Sequence, residues 1–311
     1  HDLARRQRQM CIRDRYLSMN KIYWKFPEYI SSFEWLKNNL DDDKVRIYDC
    51  TTYLHYQDQN PSLPYIVESG FKQYQISHIK NSAYLDLQND LSDNSSKYRF
   101  TLPDYPTLAE KFSDLGIGDK FHIVLYSRNG LQWATRIWWM LYVLGFKNLS
   151  ILNGSFYEWE KNNLPTESKI NKFEKSDFKK EIDDTIFVDK NRVLESMNKK
   201  HCVILNSLTE DLHNGENPRY GRRGRIPGSL NIPFHELTDI TKGCFKTPSE
   251  CLEVFKKKGI SINSRVLNYC GGGIAASLDA FVLLQLGYDD IEIYDNSMSE
   301  WATDDSLPIE I

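Results

Sequence analysis

The sequence lacks three features that would point to a membrane or a nucleic acid. None of its apolar runs reaches about 18 residues, the length that a membrane-spanning helix needs, and even IWWMLYVLGF at 137–146 is too short. The net charge is −4, so the chain as a whole has no basic excess that would attract a phosphate backbone. We therefore expect neither a membrane protein nor a nucleic-acid-binding protein.

The sequence also lacks paired cysteines. Its six cysteines are spread along the chain without a C-x-x-C motif, at Cys11, Cys50, Cys202, Cys244, Cys251 and Cys270. This spacing argues against a structural zinc site and against a disulfide framework. We expect a reducing, cytoplasmic setting and no bound metal.

Length and composition favour two globular domains. The chain has 311 residues with 41% hydrophobic and 13% aromatic residues, enough for cores in two domains of ordinary size. Residues 1–18 are basic and without a periodic pattern, so we predict that they form a non-native or disordered leader.

The chain repeats itself. Residues 122–165 and 264–308 both follow the order strand, loop, apolar helix, Leu-Gly-aromatic, strand and Ser-x-x-Glu-Trp. Residues 45–51 and 77–87 are likewise matched by 202–208 and 224–234. Such self-similarity indicates a duplicated domain.

Strand, helix and strand in this order predict an α/β fold, with a parallel sheet and helices on both faces in each domain. The predicted boundaries are 20–165 and 181–311, with a charged, turn-rich linker at 166–180.

The segment YCGGGIAAS places Cys270 directly before Gly271, Gly272 and Gly273, at a predicted strand-to-helix junction. One interpretation is a dinucleotide fingerprint, since GGGIAA fits G-x-G-x-x-A and Asp295 follows the next strand. That fingerprint opens a larger nucleotide-binding unit, whereas few residues follow Asp295 and the duplicated loop SRNGLQW carries no such pattern.

The other interpretation is a reactive thiol. Glycines allow the backbone to curl, so that its amides form an anion-binding nest at a helix N-terminus. The amides of Gly271, Gly272, Gly273, Ile274, Ala275 and Ala276 would favour a thiolate at Cys270, the reactive form of cysteine. A buried packing thiol beside a turn is the alternative. We expect the other cysteines to be structural.

These motifs resemble the tandem two-domain form of the rhodanese superfamily, the thiosulfate and 3-mercaptopyruvate sulfurtransferases. The resemblance covers roughly residues 30–311 and rests on an ordered set of motifs: SFEWLKNNLDDDKVRIYDCT, SHIKNSAYLDL, TRIWWMLYVLGF, GRIPGSLNIPF, YCGGGIAAS and YDNSMSEW. It implies that only the second domain is catalytic, because Cys270 corresponds to Ser127 in the first domain. The first domain, 20–165, would then be non-catalytic.

The resemblance implies a two-step sulfur transfer. Cys270 would take a sulfane sulfur from a small anionic donor, forming a persulfide that the loop 271–276 stabilises, and would pass it to cyanide or a thiol. Neither a metal nor an organic cofactor is required. A protein that accepts the sulfur is a further option.

The resemblance also implies substrate-binding residues. Arg219 matches an arginine that binds the substrate anion, Arg225 replaces a histidine before Ile-Pro-Gly, and His78 matches a histidine that faces the active site. A second family arginine is missing from EDLHNGE at 210–216, and an aspartate is replaced by Asn206. For His78 an ordinary strand-entry histidine, and for Arg225 a solvent-facing side chain, remain the alternatives.

The loop itself bears on the donor. It has no basic residue, which is typical of the mercaptopyruvate type, but Gly272 stands where that type has a serine.

Two other functions compete with this interpretation. A phosphatase or arsenate reductase of the Cys-x5-Arg type needs an arginine where this chain has Ala276, so the phosphoryl oxygens would lack their clamp. A non-enzymatic binding module or a sulfur-relay protein would keep the same fold.

Overall fold

The computed structural model describes residues 22–57, 60, 63–197 and 199–311, and the statements below refer to these residues. The predicted leader and Cys11 lie outside the described residues.

The described strands, most of them short, form two parallel sheets and smaller antiparallel pairs. The strands are β1 (Ile30–Ser31), β2 (Val45–Asp49), β3 (Thr52–Tyr56), β4 (Tyr65–Ser69), β5 (His78–Ile79), β6 (Ser82–Tyr84), β7 (His122–Tyr126), β8 (Leu149–Leu152), β9 (Thr166–Glu167), β10 (Phe187–Val188), β11 (Cys202–Asn206), β12 (Leu230–Asn231), β13 (Thr238–Asp239), β14 (Cys244–Phe245), β15 (Arg265–Tyr269) and β16 (Ile291–Tyr294).

The two parallel sheets have the same topology. The first has the order β1-β8-β7-β2-β6 and the second β10-β16-β15-β11-β12. Strands that correspond in the sequence repeat occupy corresponding places, and their registers agree: Asp49 lies opposite Tyr126, as Asn206 lies opposite Tyr269. The predicted duplication and the α/β fold class are confirmed.

The α-helices connect these strands, as parallel neighbours require. They are α1 (Phe33–Asn38), α2 (Phe71–Ile76), α3 (Tyr105–Asp114), α4 (Gln132–Tyr142), α5 (Phe156–Lys161), α6 (Lys190–Ser196), α7 (Glu210–His213), α8 (Pro248–Lys257), α9 (Ala275–Leu286) and α10 (Ser297–Trp301). Several begin at side-chain caps; α8 has a reciprocal capping box between Thr247 and Glu250, which satisfies amides that the helix start leaves unpaired.

The two domains meet where α4 packs against α9, the corresponding helices of the repeat. The hydroxyls of Thr135 and Ser277 lie 2.8 Å apart, and Trp139 Nε1 donates to the Ser277 carbonyl at 2.9 Å. Every residue of α4 from 133 to 141 is buried. A helix that is apolar on nearly all sides is thus covered by its own sheet and by the other domain.

A buried ion pair crosses the same seam. Arg136 of α4 has no exposed surface, and its Nη2 lies 2.5 Å from Oδ1 of Asp295, at the end of β16. The same Nη2 donates to the Phe100 carbonyl at 2.8 Å, and Asp295 Oδ2 accepts from the Leu102 amide at 2.8 Å. The buried charge of Arg136 thus lies at the domain seam.

The segment predicted as a linker lies against the first domain. Its strand β9 pairs with β5, and Phe178 is buried with its ring 5.3 Å from that of Phe146. The chain between the two sheets is therefore attached along its length to the first domain.

We predict that Arg136→Ala lowers the free energy of unfolding by about 3–5 kcal/mol, because it leaves the Asp295 carboxylate without its buried counter-charge. Urea denaturation followed by tryptophan fluorescence measures the change. The matched control is Lys161→Ala, which removes an exposed ion pair with Glu158 and should change stability by about 0.5 kcal/mol or less. Equal effects of the two substitutions would contradict the structural role of the seam pair.

Candidate active site

Cys270 lies at the carboxyl end of β15, directly before the glycine loop, and is 2% exposed. Its amide donates to Ser297 Oγ at 3.0 Å, and its carbonyl accepts from the Met298 amide at 3.0 Å. The carboxyl ends of adjacent parallel strands meet at one edge of a sheet, so residues that follow β16 can hold the residue that follows β15. The backbone of Cys270 is thereby fixed on both sides.

The loop that follows depends on its glycines. Gly273 adopts φ +73°, and a Cβ atom there would lie 2.6 Å from the Asp295 carbonyl and 2.8 Å from Arg136 Nη1. A Cβ atom on Gly271 would overlap with the hydroxyl of Tyr220. Any larger residue at either position must displace a buried group. The loop then leads through Ile274 into α9, which begins with Ala275 and Ala276.

A cavity of about 230 Å³ opens above Cys270. Its walls come from both domains, as the following list shows: Leu54, Tyr56, Tyr65, Phe100, Asn129, Gln132 and Trp133 from the first, and Leu208, Tyr220, Phe234, Cys270, Gly271, Gly272, Ile274 and Ala275 from the second. Among the described residues, no charged side chain lines it. The cavity over the thiol is aromatic and neutral, with Asn129 and Gln132 as amide groups.

Two buried tyrosines stand beside the thiol. Burial raises the pKa of Tyr65 and of Tyr220, and a thiolate at Cys270 would raise both further. Both phenols are therefore protonated at neutral pH and can donate a hydrogen bond. The rings of Tyr65 and Tyr220 pack edge to face, with their centroids 6.4 Å apart.

Arg219 lies at the rim of this cavity. Its guanidinium carbon is 3.9 Å from the ring centroid of Tyr56, a residue of the cavity wall. A guanidinium over an aromatic face is a stabilising cation–π contact, and it holds the positive charge close to the cavity mouth.

The structure does not bring Arg225 to the cavity. Its guanidinium forms an ion pair with Glu310 and donates to the His213 carbonyl at 3.3 Å, while its backbone pairs with Glu310 as well. A role of Arg225 in substrate binding stays a prediction that this position does not support. Its charge is balanced near the end of the described chain, where it joins two segments of the second domain.

His78 also lies outside the wall of the Cys270 cavity. It has no exposed surface, its ring stacks on Tyr74 with centroids 3.8 Å apart, and Nδ1 donates to the Tyr74 carbonyl at 2.6 Å. Its Nε2 points toward Glu167 of β9, 3.7 Å away. The expectation that His78 faces the active site is therefore wrong for this structure: the side chain packs between α2 and the segment that joins the domains.

The contacts of two side chains, Asp295 and Tyr220, argue against a dinucleotide-binding loop. Asp295, the candidate ribose ligand, is held by Arg136 and by the Leu102 amide. Tyr220 lies against Gly271, where a pyrophosphate would have to approach the loop. Among the described residues, His, Cys, Asp and Glu side chains form no group that could hold a metal ion.

Most of the residues that line the cavity were not predicted from the sequence. Tyr65 comes from the β4 strand of the first domain and Trp133 from α4, far from Cys270 in the chain. Ser297 had one available signal, its place in the repeated Ser-x-x-Glu-Trp motif. Its counterpart Ser155, however, caps α5 by accepting from the Glu158 amide, so the repeat alone would have assigned Ser297 the wrong role.

We predict that two glycines of the loop, Gly273 and Gly272, differ in how well they tolerate replacement by alanine. Gly273→Ala should abolish sulfur loading and lower the thermal midpoint by several degrees, because it combines a positive φ with contact with a backbone carbonyl. Gly272→Ala, whose Cβ would lie 3.2 Å from Tyr65 Oη, requires only a small shift of one side chain and serves as the matched control. Differential scanning fluorimetry with intact-mass analysis measures both; similar losses in the two variants would contradict this account of the loop.

The sequence and the fold of the chain match known proteins. The family model for the rhodanese-like domain matches the chain twice, at residues 32–162 and 189–304. The chain is 29% identical over 281 residues to the 3-mercaptopyruvate sulfurtransferase of Escherichia coli strain K12, covering 89% of this chain and 96% of that protein. It is 30% identical over 237 residues to the thiosulfate sulfurtransferase of Cricetulus griseus, covering 74% of this chain and 79% of that protein.

A solved structure of a related protein has the same fold. The crystal structure of SseA from Escherichia coli, described as a 3-mercaptopyruvate sulfotransferase, superposes with a TM-score of 0.75 at 26% identity, covering 86% of this chain and 98% of that one. The chain therefore belongs to the rhodanese family, with one rhodanese-like domain in each half, and by class it is a sulfurtransferase.

Proposed function

We propose that the chain moves a sulfane sulfur from 3-mercaptopyruvate or thiosulfate to a thiol or cyanide through a persulfide on Cys270. The observation that carries this proposal is the position of Cys270, which is almost fully buried at the floor of a cavity, between a fixed backbone and the N-terminal end of α9. A thiol in that place is available to a small molecule but shielded from bulk water.

In the first step, the Cys270 thiolate attacks the donor sulfur. With 3-mercaptopyruvate, the carbon–sulfur bond breaks, and its electron pair leaves with pyruvate as an enolate that takes up a proton. With thiosulfate, the sulfur–sulfur bond breaks and sulfite leaves. Either route leaves one extra sulfur on Cys270 as a persulfide, so the kinetics should be ping-pong.

The loop 271–276 would stabilise the anionic outer sulfur. The first turn of a helix leaves amide groups without intrahelical partners and carries a partial positive charge. Here α9 begins at Ala275, which lines the same cavity as Cys270, and runs for 12 residues. Tyr65 and Tyr220 supply protonated hydroxyls in the same cavity.

In the second step, an acceptor thiolate or cyanide attacks the outer sulfur. The sulfur–sulfur bond breaks, its electron pair returns to Cys270 as thiolate, and the acceptor leaves as a persulfide or as thiocyanate. Cys270 is regenerated without a metal or an organic cofactor.

The neutral cavity wall favours 3-mercaptopyruvate over thiosulfate. Each charge transferred from water into a cavity without a counter-charge is penalised, and thiosulfate carries two negative charges whereas 3-mercaptopyruvate carries one on its carboxylate. Arg219 at the rim provides one positive charge close to the mouth.

We predict that the wild-type chain, incubated with 3-mercaptopyruvate alone, gains the mass of one sulfur atom and releases pyruvate, and that Cys270→Ser does neither. Cys202→Ser, which removes another free cysteine that is partly exposed, is the matched control and should behave as wild type. Intact-mass spectrometry and thiocyanate formation with cyanide measure the two steps. If the wild type gained no sulfur from either donor, the proposed function would be overturned and a binding role would replace it.

We further predict that the two arginines behave differently. Arg219→Gln should raise KM for 3-mercaptopyruvate about three- to tenfold, since one rim charge close to an anion is worth roughly 1 kcal/mol. Arg225→Gln should leave KM unchanged and lower the thermal midpoint, because it breaks the pairing with Glu310. The reverse pattern in steady-state kinetics would show that the sequence-based prediction for Arg225 was right after all.

A further inference from the structure

A second cavity adjoins the one that contains Cys270. It measures about 450 Å³ and is lined by Leu63, Pro64, Tyr65, Ser96, Lys97, Tyr98, Arg99, Tyr220, Ser299 and Thr303. We call it the outer cavity. Tyr65 and Tyr220 belong to the walls of both cavities, so the two spaces are neighbours across this pair of rings.

The outer cavity is tied to the catalytic loop. Ser299, one of its wall residues, donates to the Gly271 carbonyl through both its amide, at 2.9 Å, and its hydroxyl, at 2.6 Å. On the other side, the Arg99 carbonyl lies close to Gly272, 3.7 Å from where a Cβ would be. A ligand in the outer cavity would therefore contact Ser299, which is hydrogen-bonded to the residue that follows Cys270.

Charge distinguishes the two cavities. The wall of the outer cavity contains two cations, Lys97 and Arg99, and no carboxylate among the described residues. The Arg99 charge reaches the shared wall, since it opposes the rise that burial causes in the pKa of Tyr65. Glu300 is the nearby carboxylate that attracts Lys97; it lies outside the wall and accepts a hydrogen bond from Tyr294 at 2.8 Å. The outer cavity thus has a net positive wall.

The Cys270 cavity and the outer cavity also differ in size. The Cys270 cavity is large enough for a donor of a few heavy atoms, whereas the outer cavity has about the volume of sites that hold much larger ligands. The two-step reaction needs two different substrates at the same sulfur. The small donor fits the Cys270 cavity, which leaves the outer cavity for part of a larger second substrate.

We propose that the outer cavity binds the acceptor, an anionic thiol of about tripeptide size whose carboxylates face Lys97 and Arg99. This assignment rests on the proposed function. The acceptor thiolate reaches past Tyr65 and Tyr220 and attacks the outer sulfur of the Cys270 persulfide; the sulfur–sulfur bond breaks, and Cys270 leaves as thiolate. The body of the acceptor stays in the outer cavity throughout.

The first test measures binding without turnover. Full-length protein is titrated with S-methylglutathione, an unreactive peptide with two carboxylates, by isothermal calorimetry at low and at physiological ionic strength. Binding should weaken with added salt, because exposed charges are screened, and should weaken about tenfold in the double variant Lys97→Gln/Arg99→Gln. The control Lys120→Gln/Lys257→Gln removes the same charge at exposed lysines outside both cavities and should bind as wild type.

The second test separates the two half-reactions. Protein preloaded with sulfur from 3-mercaptopyruvate is mixed with glutathione or with 2-mercaptoethanol, which is uncharged, and the loss of the extra sulfur is followed by intact mass. The double variant should lose sulfur to glutathione about tenfold more slowly, should lose it to 2-mercaptoethanol at the wild-type rate, and should load sulfur normally.

Three results would overturn the proposal: equal slowing with both thiols, no slowing with glutathione, or slower loading from the donor, which would assign the two cations to the donor instead. A chain that loads no sulfur at all would overturn the proposed function and the acceptor role together. The calorimetric result would then still decide whether Lys97 and Arg99 bind an anionic peptide.

Discussion

The active site depends on a salt bridge between the two domains. Arg136 reaches from α4 of the first domain to Asp295 of the second, and Gly273 of the catalytic loop lies directly against both. A buried arginine is tolerated only when its charge is paired and hydrogen-bonded, so the seam has one favourable arrangement. That arrangement fixes where the glycine loop can run, and hence where Cys270 can lie.

The two loops that correspond in the duplicated domains carry different side chains. In the first domain, Asp49 closes the strand and Arg128 follows the serine that corresponds to Cys270, with Nε of Arg128 3.5 Å from the Asp49 carboxylate. In the second domain, the same two positions are Asn206 and Gly271, which carry no charge. Because the position of Arg128 is occupied by Gly271 in the second domain, Tyr220 can pack against the loop there. The second loop is therefore bordered by a neutral aromatic side chain instead of a charged one.

The loop of the first domain also contributes to the Cys270 cavity. Asn129, Gln132 and Trp133, from the first domain's own loop and helix, line the Cys270 cavity, because the two corresponding helices pack together at the seam. The first domain thus supplies part of the cavity wall. A neutral Cys270 cavity lies beside an outer cavity whose wall is positively charged.

The sequence by itself determined the repeat and the two parallel sheets and indicated Cys270 as the candidate nucleophile, because hydrophobic periodicity and glycine placement are local properties of the chain. It could not place Arg225 or His78, whose neighbours Glu310 and Glu167 are distant in sequence. Which side chains face Cys270 was decided only by the tertiary structure, because the cavity wall is assembled from segments that meet only after both domains fold.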